Sequence, residues 1–369
     1  MLEIHCTNCG RPYPTDSLPY RCPVCTGIFD QTALPAFNPA ELQLTRSHPG
    51  IWRYRPLLGL ADEAPEITLG EGNTPLIWGQ VADRQVAFKL ETQNPTGSFK
   101  DRGSAVLASW LKFHGVQEAV EDSSGNAGAS FAAYAARAGI QARIFVPESA
   151  SGPKRAQIAA YGAEIRPVPG PRSNAAQAVQ QAAVQGVTYA SHATLPQLLP
   201  GYSTLAYELY EQLGSAPGTV VVPAGQGNLL LAIGRGFVTL QKSGIIETLP
   251  RLVGVQARAC APLWAVYQYG MSAYAWVTEG DTLAEGVRVY RPMRGDAVIQ
   301  IVEQSQGTFI AIDEELILPG RDHLARQGFY VEPTSALVWN AVQQLPPDIP
   351  EPVVAILTGS GLKTPSHLV

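Results

Sequence analysis

The chain has little charge and no block of basic residues. Only 15% of its 369 residues are Asp, Glu, Lys or Arg, and the formal net charge at pH 7 is -5. A surface without a basic stripe argues against nucleic acid or an anionic membrane as a partner. The composition therefore favours a protein that acts on a small molecule.

Long apolar runs are also missing from the sequence. No stretch approaches the ~20 apolar residues that a helix needs to cross a bilayer, and residues 1–6 lack the basic start and apolar core of a signal peptide. We therefore expect a cytoplasmic protein with no membrane partner. With 46% hydrophobic residues, the chain can bury a large core and is long enough for two or more domains.

Cysteine is scarce, and its distribution is uneven. Four of the five cysteines form the pattern Cys6-x-x-Cys9, twelve intervening residues, then Cys22-x-x-Cys25. Two such knuckles supply four thiolates in a tetrahedron, which predicts a structural Zn²⁺ ribbon. Two disulfides are the alternative, disfavoured by a reducing compartment, and a redox motif would need only one pair. Cys260 lies far away among apolar residues and is predicted to be a packing residue.

One lysine stands out by its position. Residues 94–103 read Asn-Pro-Thr-Gly-Ser-Phe-Lys-Asp-Arg-Gly, so that Lys100 follows a turn between a short apolar strand, Val86 to Leu90, and a helix that includes Lys112. The backbone N–H groups at the start of a helix can hold an anion beside the lysine. Burial favours the neutral amine, so Lys100 is a candidate imine-forming nucleophile. A solvated surface lysine is the alternative.

Beyond residue 100, helical patterns alternate with short apolar strands at the spacing of βαβ units. This alternation predicts an α/β fold with parallel strands in two sheets. The predicted strands lie at residues 119–121, 142–146, near 165, 187–190, 219–222 and 353–357. One predicted helix contains Trp110 and Lys112, and an alanine-rich one follows the Ser123 to Gly128 loop and runs through Arg137. The other predicted helices lie at residues 152–161, 175–185 and 204–213.

Three polar loops follow predicted strands, where open α/β sheets bind their ligands. The loop Ser123 to Gly128 offers hydroxyls and helix-start amides for a carboxylate, although a simple helix cap is the alternative. The loop Pro223 to Leu229 contains glycines that let backbone amides approach a phosphate, in an order unlike a dinucleotide fingerprint or a Walker loop. The third loop, Thr358 to Lys363, offers hydroxyls or is merely a glycine-rich turn.

Together, the lysine motif, these loops and the cysteine pattern resemble the fold type II (tryptophan synthase β-like) pyridoxal-phosphate enzymes, and most closely the threonine synthase branch. The resemblance covers nearly the whole chain. It implies two α/β domains of mostly parallel twisted sheets with flanking helices, preceded by a zinc ribbon. It also implies pyridoxal 5'-phosphate as cofactor and a homodimer.

The resemblance assigns roles to individual residues. Lys100 would hold the cofactor covalently and move the protons, and Thr358 would bond the pyridine nitrogen. The remaining implied cofactor contacts are Asn126, Gly225, Gln226, Gly227, Asn228 and Leu229. The implied substrate contacts are Ser123, Ser124, Gly125, Asn126, Ala127 and Arg288. The implied zinc ligands are Cys6, Cys9, Cys22 and Cys25.

Domain boundaries follow from the same resemblance and from the proline-rich stretch near residue 40. We expect a zinc ribbon at residues 1–30 and a linker at 31–50. A large cofactor-binding domain is expected at residues 51–95 plus 190–369, and a small α/β domain at 96–189.

The substrate pattern departs from that of threonine synthases. Residues 191–204 contain no arginine, and Leu198 stands where the family's phosphate-binding arginine would fall. A phosphate would lose a bidentate partner there, which Arg288, Lys154 or Arg155 could partly replace. A solvated surface charge is the alternative for each of them. The resemblance therefore implies a threonine synthase acting on O-phospho-L-homoserine, with an ammonia-lyase or β-replacement enzyme acting on threonine, serine or a related amino acid as the alternative. A non-catalytic zinc-dependent module is disfavoured, because Lys100, Asn126 and Thr358 are all present.

Overall fold

A computed structural model describes residues 3–31, 33–150, 152–170 and 172–364. The strands of these residues are β1 (Ile4–Cys6), β2 (Phe29–Gln31), β3 (Leu76–Val81), β4 (Arg84–Leu90), β5 (Glu118–Glu121), β6 (Gln141–Pro147), β7 (Glu164–Val168), β8 (Thr188–Tyr189), β9 (Thr219–Pro223), β10 (Arg251–Ala257), β11 (Thr308–Ile312) and β12 (Val353–Leu357). The α-helices are α1 (Pro39–Leu44), α2 (Lys100–Phe113), α3 (Asn126–Ala138), α4 (Pro153–Ala160), α5 (Arg172–Val184), α6 (Leu199–Leu213), α7 (Asn228–Lys242), α8 (Pro262–Tyr269), α9 (Gly295–Gln304), α10 (Ile317–Arg326) and α11 (Pro333–Gln343).

The chain packs into two compact units. The first unit contains the described residues of 1–72 and 100–202, and the second unit contains Asn73–Phe99 and Ser203–Thr364. The domain boundaries that the sequence suggests stay a prediction, because compact units describe packing and not independent folding.

The first unit contains a fully parallel sheet of four strands in the order β7-β6-β5-β8. Helix α3 packs against this sheet and against α2. Its alanines allow close approach on several sides, and ten of its thirteen residues are buried. Gly139, in the left-handed conformation with a φ of 68°, ends the helix. This βαβ unit positions the loop at residues 123–127 at the carboxyl edge of β5.

The first unit also contains a two-stranded antiparallel sheet of β1 and β2. Helix α1 follows within residues 31–50, the segment predicted as a linker. Asn38 caps this helix, because its side-chain oxygen accepts a hydrogen bond from Ala40 N at 3.0 Å.

The second unit contains a six-stranded sheet in the order β11-β10-β9-β12-β4-β3. Its strand pairs are parallel except for β3, which pairs antiparallel with β4 at the sheet edge. The central strands β9 and β12 read TVVVP and VVAIL, and all their residues are buried. Such continuous apolar strands are typical of parallel sheets covered on both faces. The buried helix α11 packs on β9 and β12.

The two sheets confirm the predicted α/β fold with parallel strands. None of the helices in the described residues is both long enough and apolar enough to span a bilayer.

Candidate active site

Lys100 is the first residue of α2, as the sequence predicted. The turn before it is fixed within the second unit by the segment that follows β12. Phe99 N donates to Thr358 O at 3.0 Å, and Ser360 N donates to Gly97 O at 2.9 Å. Gly97 has a φ of 83°, which a residue with a side chain rarely adopts. Two motifs that lie about 260 residues apart in sequence are thereby held together.

A buried lysine reinforces this junction. Lys363, only 5% exposed, donates from Nζ to Thr96 O at 2.7 Å. Its side chain also lies against Gly97, where a Cβ would be 3.2 Å from Lys363 Cδ. The last residue of the Thr-Gly-x-Gly-Leu-Lys motif therefore supports the turn that carries the chain to Lys100.

Within the first unit, Lys100 lies near the ring of Tyr202. Its Nζ is 6.0 Å from the ring centroid, and the tyrosine is almost completely buried. Gly103, one helical turn after Lys100, lets the ring approach, since a Cβ there would lie 2.5 Å from Tyr202 Cζ. Burial and the nearby carboxylate of Asp101 raise the pKa of Tyr202 well above its usual range. The tyrosine therefore stays neutral beside the lysine.

The loop from Ser123 to Ala127 leads from β5 into α3, which begins at Asn126 with Gly125 as its N-cap. Ser123 is buried, whereas Ser124, Gly125 and Asn126 are partly exposed. Gly125 N donates to Ser123 Oγ at 3.1 Å. The first-turn amides and the positive end of this thirteen-residue helix can receive an anion.

The loop from Gly225 to Leu229 leads from β9 into α7, which begins at Asn228. Gly227 is the N-cap and has a φ of 76°. A Cβ on Gly225 would lie 2.7 Å from Gly286 O, so only glycine fits there without movement. Since Gly227 has no side chain, the start of α7 presents backbone amides without a capping hydroxyl.

Hydrogen bonds to uncharged groups hold Gln226 in this second loop and Ala224, the residue before it. Ala224 N donates to Val255 O at 2.8 Å, and Gln256 Nε2 donates to Ala224 O at 2.9 Å. Gln226 Oε1 accepts from Met293 N at 2.9 Å. The loop is thus tied to β10 and to the segment before α9.

The hydroxyl of Thr358 lies at the end of β12, with the residue only 3% exposed. It is 2.9 Å from Ser335 Oγ, and the Ser335 hydroxyl also accepts from Gly359 N at 2.8 Å. Ser335 lies on the buried helix α11 and was missed by the sequence analysis, because an isolated serine in an apolar helix carries no motif. It fixes the position of the Thr358 side chain.

Arg288 lies in the second unit, on the segment that follows residues 285–287. Its Nη1 is 2.8 Å from Asp281 Oδ1, and its Nη2 donates to Glu279 O at 3.4 Å. The side chain is 37% exposed. Its assignment to the substrate stays a prediction, and the ion pair with Asp281 competes with that role.

The stretch that departs from the threonine synthase pattern lies in the first unit. Leu198 is 3% exposed and belongs to the hydrophobic core, so an apolar side chain occupies the position expected for arginine. His192 hydrogen-bonds through Nδ1 to Glu121, the last residue of β5. This contact was not predicted, since the two residues lie far apart in sequence.

The four cysteines predicted as zinc ligands come together. Their Sγ atoms all lie within 4.8 Å of one another, and none forms a disulfide. Each knuckle turns in the same way: Gly10 N donates to Cys6 O and Thr26 N donates to Cys22 O, both at 2.9 Å. Backbone N–H groups of Cys25 and Val24 lower the pKa of Cys22 to about 6. This thiol set has the number and the spacing that a tetrahedral metal site needs.

Aromatic contacts connect the cysteine cluster to the rest of the first unit. Tyr13 packs edge-on against Trp110 of α2, with ring centroids 6.1 Å apart. Tyr20 packs against Tyr189 of β8 at 4.9 Å. The Tyr189 hydroxyl donates in turn to Asp122 Oδ1 at 2.8 Å. The cluster therefore supports the strand end next to the loop at residues 123–127.

Comparison with known proteins gives relatives over the whole chain. Residues 67–359 match the family model described as pyridoxal-phosphate dependent enzyme. The threonine synthase of Methanocaldococcus jannaschii is 33% identical, covering 100% of this chain and 94% of the relative. The threonine synthase of Synechocystis sp. is also 33% identical, over 92% of this chain and 90% of the relative.

Solved structures of similar fold include other amino-acid enzymes. A threonine deaminase from T.th. superposes with a TM-score of 0.66 at 26% identity, covering 78% of this chain and 92% of that one. Maize serine racemase superposes with a TM-score of 0.69 over 80% of this chain and 89% of that one. At 19% identity, the racemase supports the fold alone.

Proposed function

Because the chain belongs to the threonine synthase branch of the pyridoxal-phosphate dependent enzyme family, we propose that it converts O-phospho-L-homoserine and water to L-threonine and phosphate. The observation that carries this proposal is the likeness to threonine synthases along the full chain, at 33% identity. The cysteine cluster and the Thr358 to Lys363 ending support the same branch.

The residues present fit pyridoxal phosphate. The glycine loop at Gly225 and Gly227 and the uncapped start of α7 suit its phosphate. The paired hydroxyls of Thr358 and Ser335 suit a neutral pyridine nitrogen. Asn126 would bond the 3-hydroxyl, and Lys100 would hold the cofactor through Nζ. These roles are proposals that rest on the geometry within each unit and on the family resemblance.

When bound, the cofactor supplies an electron sink for carbanion chemistry. Lys100 Nζ, near the neutral ring of Tyr202, takes the α proton of the substrate and returns protons as the reaction proceeds. The backbone amides of Ser124, Asn126 and Ala127, at the start of α3, bind and orient the substrate carboxylate. Ser335 holds the Thr358 hydroxyl in place.

A second function, β-elimination or β-replacement on threonine, serine or a related amino acid, is favoured by one observation. The stretch at residues 191–204 has no arginine, and Leu198 is buried where the guanidinium would stand. Arg288 is paired with Asp281 at 2.8 Å. The structural likeness to a threonine deaminase at 26% identity also favours this second function.

One assay separates the two functions. Purified protein loaded with pyridoxal phosphate is given O-phospho-L-homoserine, and phosphate and threonine are followed together. Equal release of both supports the threonine synthase. If this reaction fails and the protein releases ammonia and a 2-oxo acid from L-threonine or L-serine, the ammonia-lyase becomes the proposed function.

We propose in addition that Cys6, Cys9, Cys22 and Cys25 hold a structural zinc ion, a proposal supported by their common Sγ cluster. Metal analysis of protein purified without added chelator tests it, with one zinc per chain as the expected result. A homodimer in the cytoplasm stays a prediction of the family resemblance.

A further inference from the structure

The parallel pairing of β5 and β8 brings His192 next to Glu121, although no sequence motif connects these two residues. Val120 pairs with Tyr189, and Ala190 N donates to Val120 O at 2.9 Å. Because parallel strands end at the same edge of a sheet, the residues just after them become neighbours. His192, two residues beyond Ala190, thereby reaches Glu121 at the end of β5.

Glu121 is completely buried, and both of its carboxylate oxygens are engaged. Oε2 accepts from Ser123 N at 2.6 Å, and Oε1 accepts from His192 Nδ1. An ionised carboxylate can only accept, so the hydrogen of the imidazole lies on Nδ1. Removing one hydrogen-bond partner of a buried carboxylate destabilises the fold, because solvent does not reach a buried group to replace the lost partner. His192 and Ser123 therefore fix each other through Glu121.

The contact at Ser123 sets the geometry of the loop that follows. Ser123 N faces Glu121, so this amide is turned away from an incoming anion. Ser123 Oγ accepts from Gly125 N at 3.1 Å, and the Ser123 carbonyl lies so close to Gly128 that a Cβ there would collide with it. Recognition of a carboxylate then falls to the later amides of the loop, whose direction depends on how Ser123 is held.

Asp122 does not share this role. Its Oδ1 accepts from the Tyr189 hydroxyl at 2.8 Å, and burial together with the charge of Asp122 raises the pKa of Tyr189 well above its usual range. Glu121, Asp122 and His192 offer ligand atoms within 4.8 Å of one another. Each of these three side chains has a hydrogen-bond partner in the protein, so the cluster does not require a cation.

We propose that Glu121 and His192 are a positioning pair that orients the loop at residues 123–127 for the substrate carboxylate. The inference rests on the proposed function, because it takes this loop as the carboxylate site. In this role, the two residues act through Ser123 and not on the reacting atoms. Their effect is on the affinity for the carboxylate of the amino acid, and not on the affinity for the cofactor.

The test is a spectral titration of the protein loaded with pyridoxal phosphate, using L-threonine and its carboxamide, L-threoninamide. Wild type is compared with His192→Ala and His192→Asn, since the side-chain amide of asparagine can donate from nearly the place of Nδ1. A hydrogen bond to a charged group is worth enough that we expect His192→Ala to weaken L-threonine binding about tenfold or more. The asparagine variant should restore most of that affinity.

The amide ligand distinguishes positioning from general damage. L-Threoninamide lacks the carboxylate, so His192→Ala should change its affinity by less than about threefold. In turnover, the KM for the amino-acid substrate should rise with kcat nearly unchanged. The proposal would be overturned if His192→Ala lost affinity equally for L-threonine and L-threoninamide. It would also be overturned if His192→Asn bound L-threonine as weakly as His192→Ala, or if only kcat fell.

A second variant keeps the test decisive if His192→Ala fails to fold. Glu121→Gln retains an acceptor for Ser123 N without the charge, and it should weaken L-threonine binding about threefold. Unchanged binding would contradict the inference. A wild-type protein whose spectrum responds to neither L-threonine nor O-phospho-L-homoserine would instead contradict the proposed function, so the two failures are distinguishable.

Discussion

The two loops assigned to ligand binding are held in different ways. The loop at residues 123–127 depends on a buried carboxylate, Glu121, and on a histidine that comes from another strand. The loop at residues 225–229 is held by uncharged groups: Met293 N donates to Gln226, and Val255 O and Gln256 Nε2 bind Ala224, the residue before the loop.

The charged and the uncharged support suit the different roles proposed for the two loops. A buried charge is costly, but it holds its partner amide more strongly than a neutral group would. Neutral anchors demand less of their surroundings and are suited to a ligand that stays bound through many turnovers. If the loops bind as proposed, the charged support belongs to the exchanging substrate and the uncharged support to the resident cofactor.

The largest effect should come from Lys100→Ala, which removes the side chain proposed to hold the cofactor and to move the substrate's proton. Loss of the proton-transferring group should lower turnover by about a thousandfold or more. The phosphate loop is unaltered, so noncovalent cofactor binding should persist. Absorbance spectra and cofactor dialysis measure this, with Lys112→Ala on the exposed part of the same helix as control. Turnover at the wild-type rate would contradict the assignment of Lys100.

Gly225→Ala tests the neutral loop. The new Cβ would lie 2.7 Å from Gly286 O, a backbone atom that cannot move aside easily. We expect the dissociation constant of the cofactor to rise about tenfold to a hundredfold, or about 1.4 to 3 kcal/mol. Gly295→Ala, where the nearest atom to a Cβ is 3.8 Å away, is the control. Equal cofactor affinities in the two variants would show that the loop does not bind the phosphate.

Cys22→Ser tests whether the ribbon supports the charged loop. The tyrosines at positions 20 and 189 and the hydrogen bond to Asp122 connect the cysteine cluster to the strand end before Ser123. Loss of the metal site should lower the zinc content and raise the substrate KM severalfold, which corresponds to about 1 kcal/mol of substrate binding free energy. The dissociation constant of the cofactor should stay within about twofold. Cys260→Ala, outside the cluster, is the control, and an equal loss of substrate and cofactor affinity would argue against a local connection.

The smallest effect is expected from Ser335→Ala. Thr358 would keep its hydroxyl but lose the partner 2.9 Å away, a bond worth about 1 kcal/mol. We expect a shift in the absorbance of the bound cofactor and about fivefold weaker binding. Ser305→Ala also removes a buried hydroxyl, which binds Leu252 N at 3.1 Å, and should lower only the thermal midpoint. Identical spectra for wild type and Ser335→Ala would remove the serine from the cofactor site.

Most of the fold could be predicted from the sequence, because its strands are short apolar runs between strong turn signals. The strand at residues 142–146 agrees with β6 to within one residue at each end, and the helix predicted to run through Arg137 ends within one residue of the end of α3. The segment predicted as a strand over 187–190 forms only two residues of strand, β8. Near Ala190 the chain leaves the sheet, toward the contact of His192 with Glu121.

The supporting residues of the candidate site could not be predicted in the same way. Motifs contain the groups proposed to touch a ligand, such as Lys100 and Thr358, in a recognisable local order. Ser335 and the pairing of His192 with Glu121 depend on which strands and helices become neighbours. Two residues that lie 71 positions apart carry no local signal, since their proximity arises from the sheet order alone.

The cysteine cluster has a consequence for the supply of active enzyme. If zinc completes the ribbon, then the tyrosine contacts that support the proposed substrate loop would be weakened in protein that has not acquired its metal. Cells short of zinc would accumulate chains that bind cofactor but use substrate poorly. Amino-acid production would then follow metal nutrition, with no regulatory domain required to connect them.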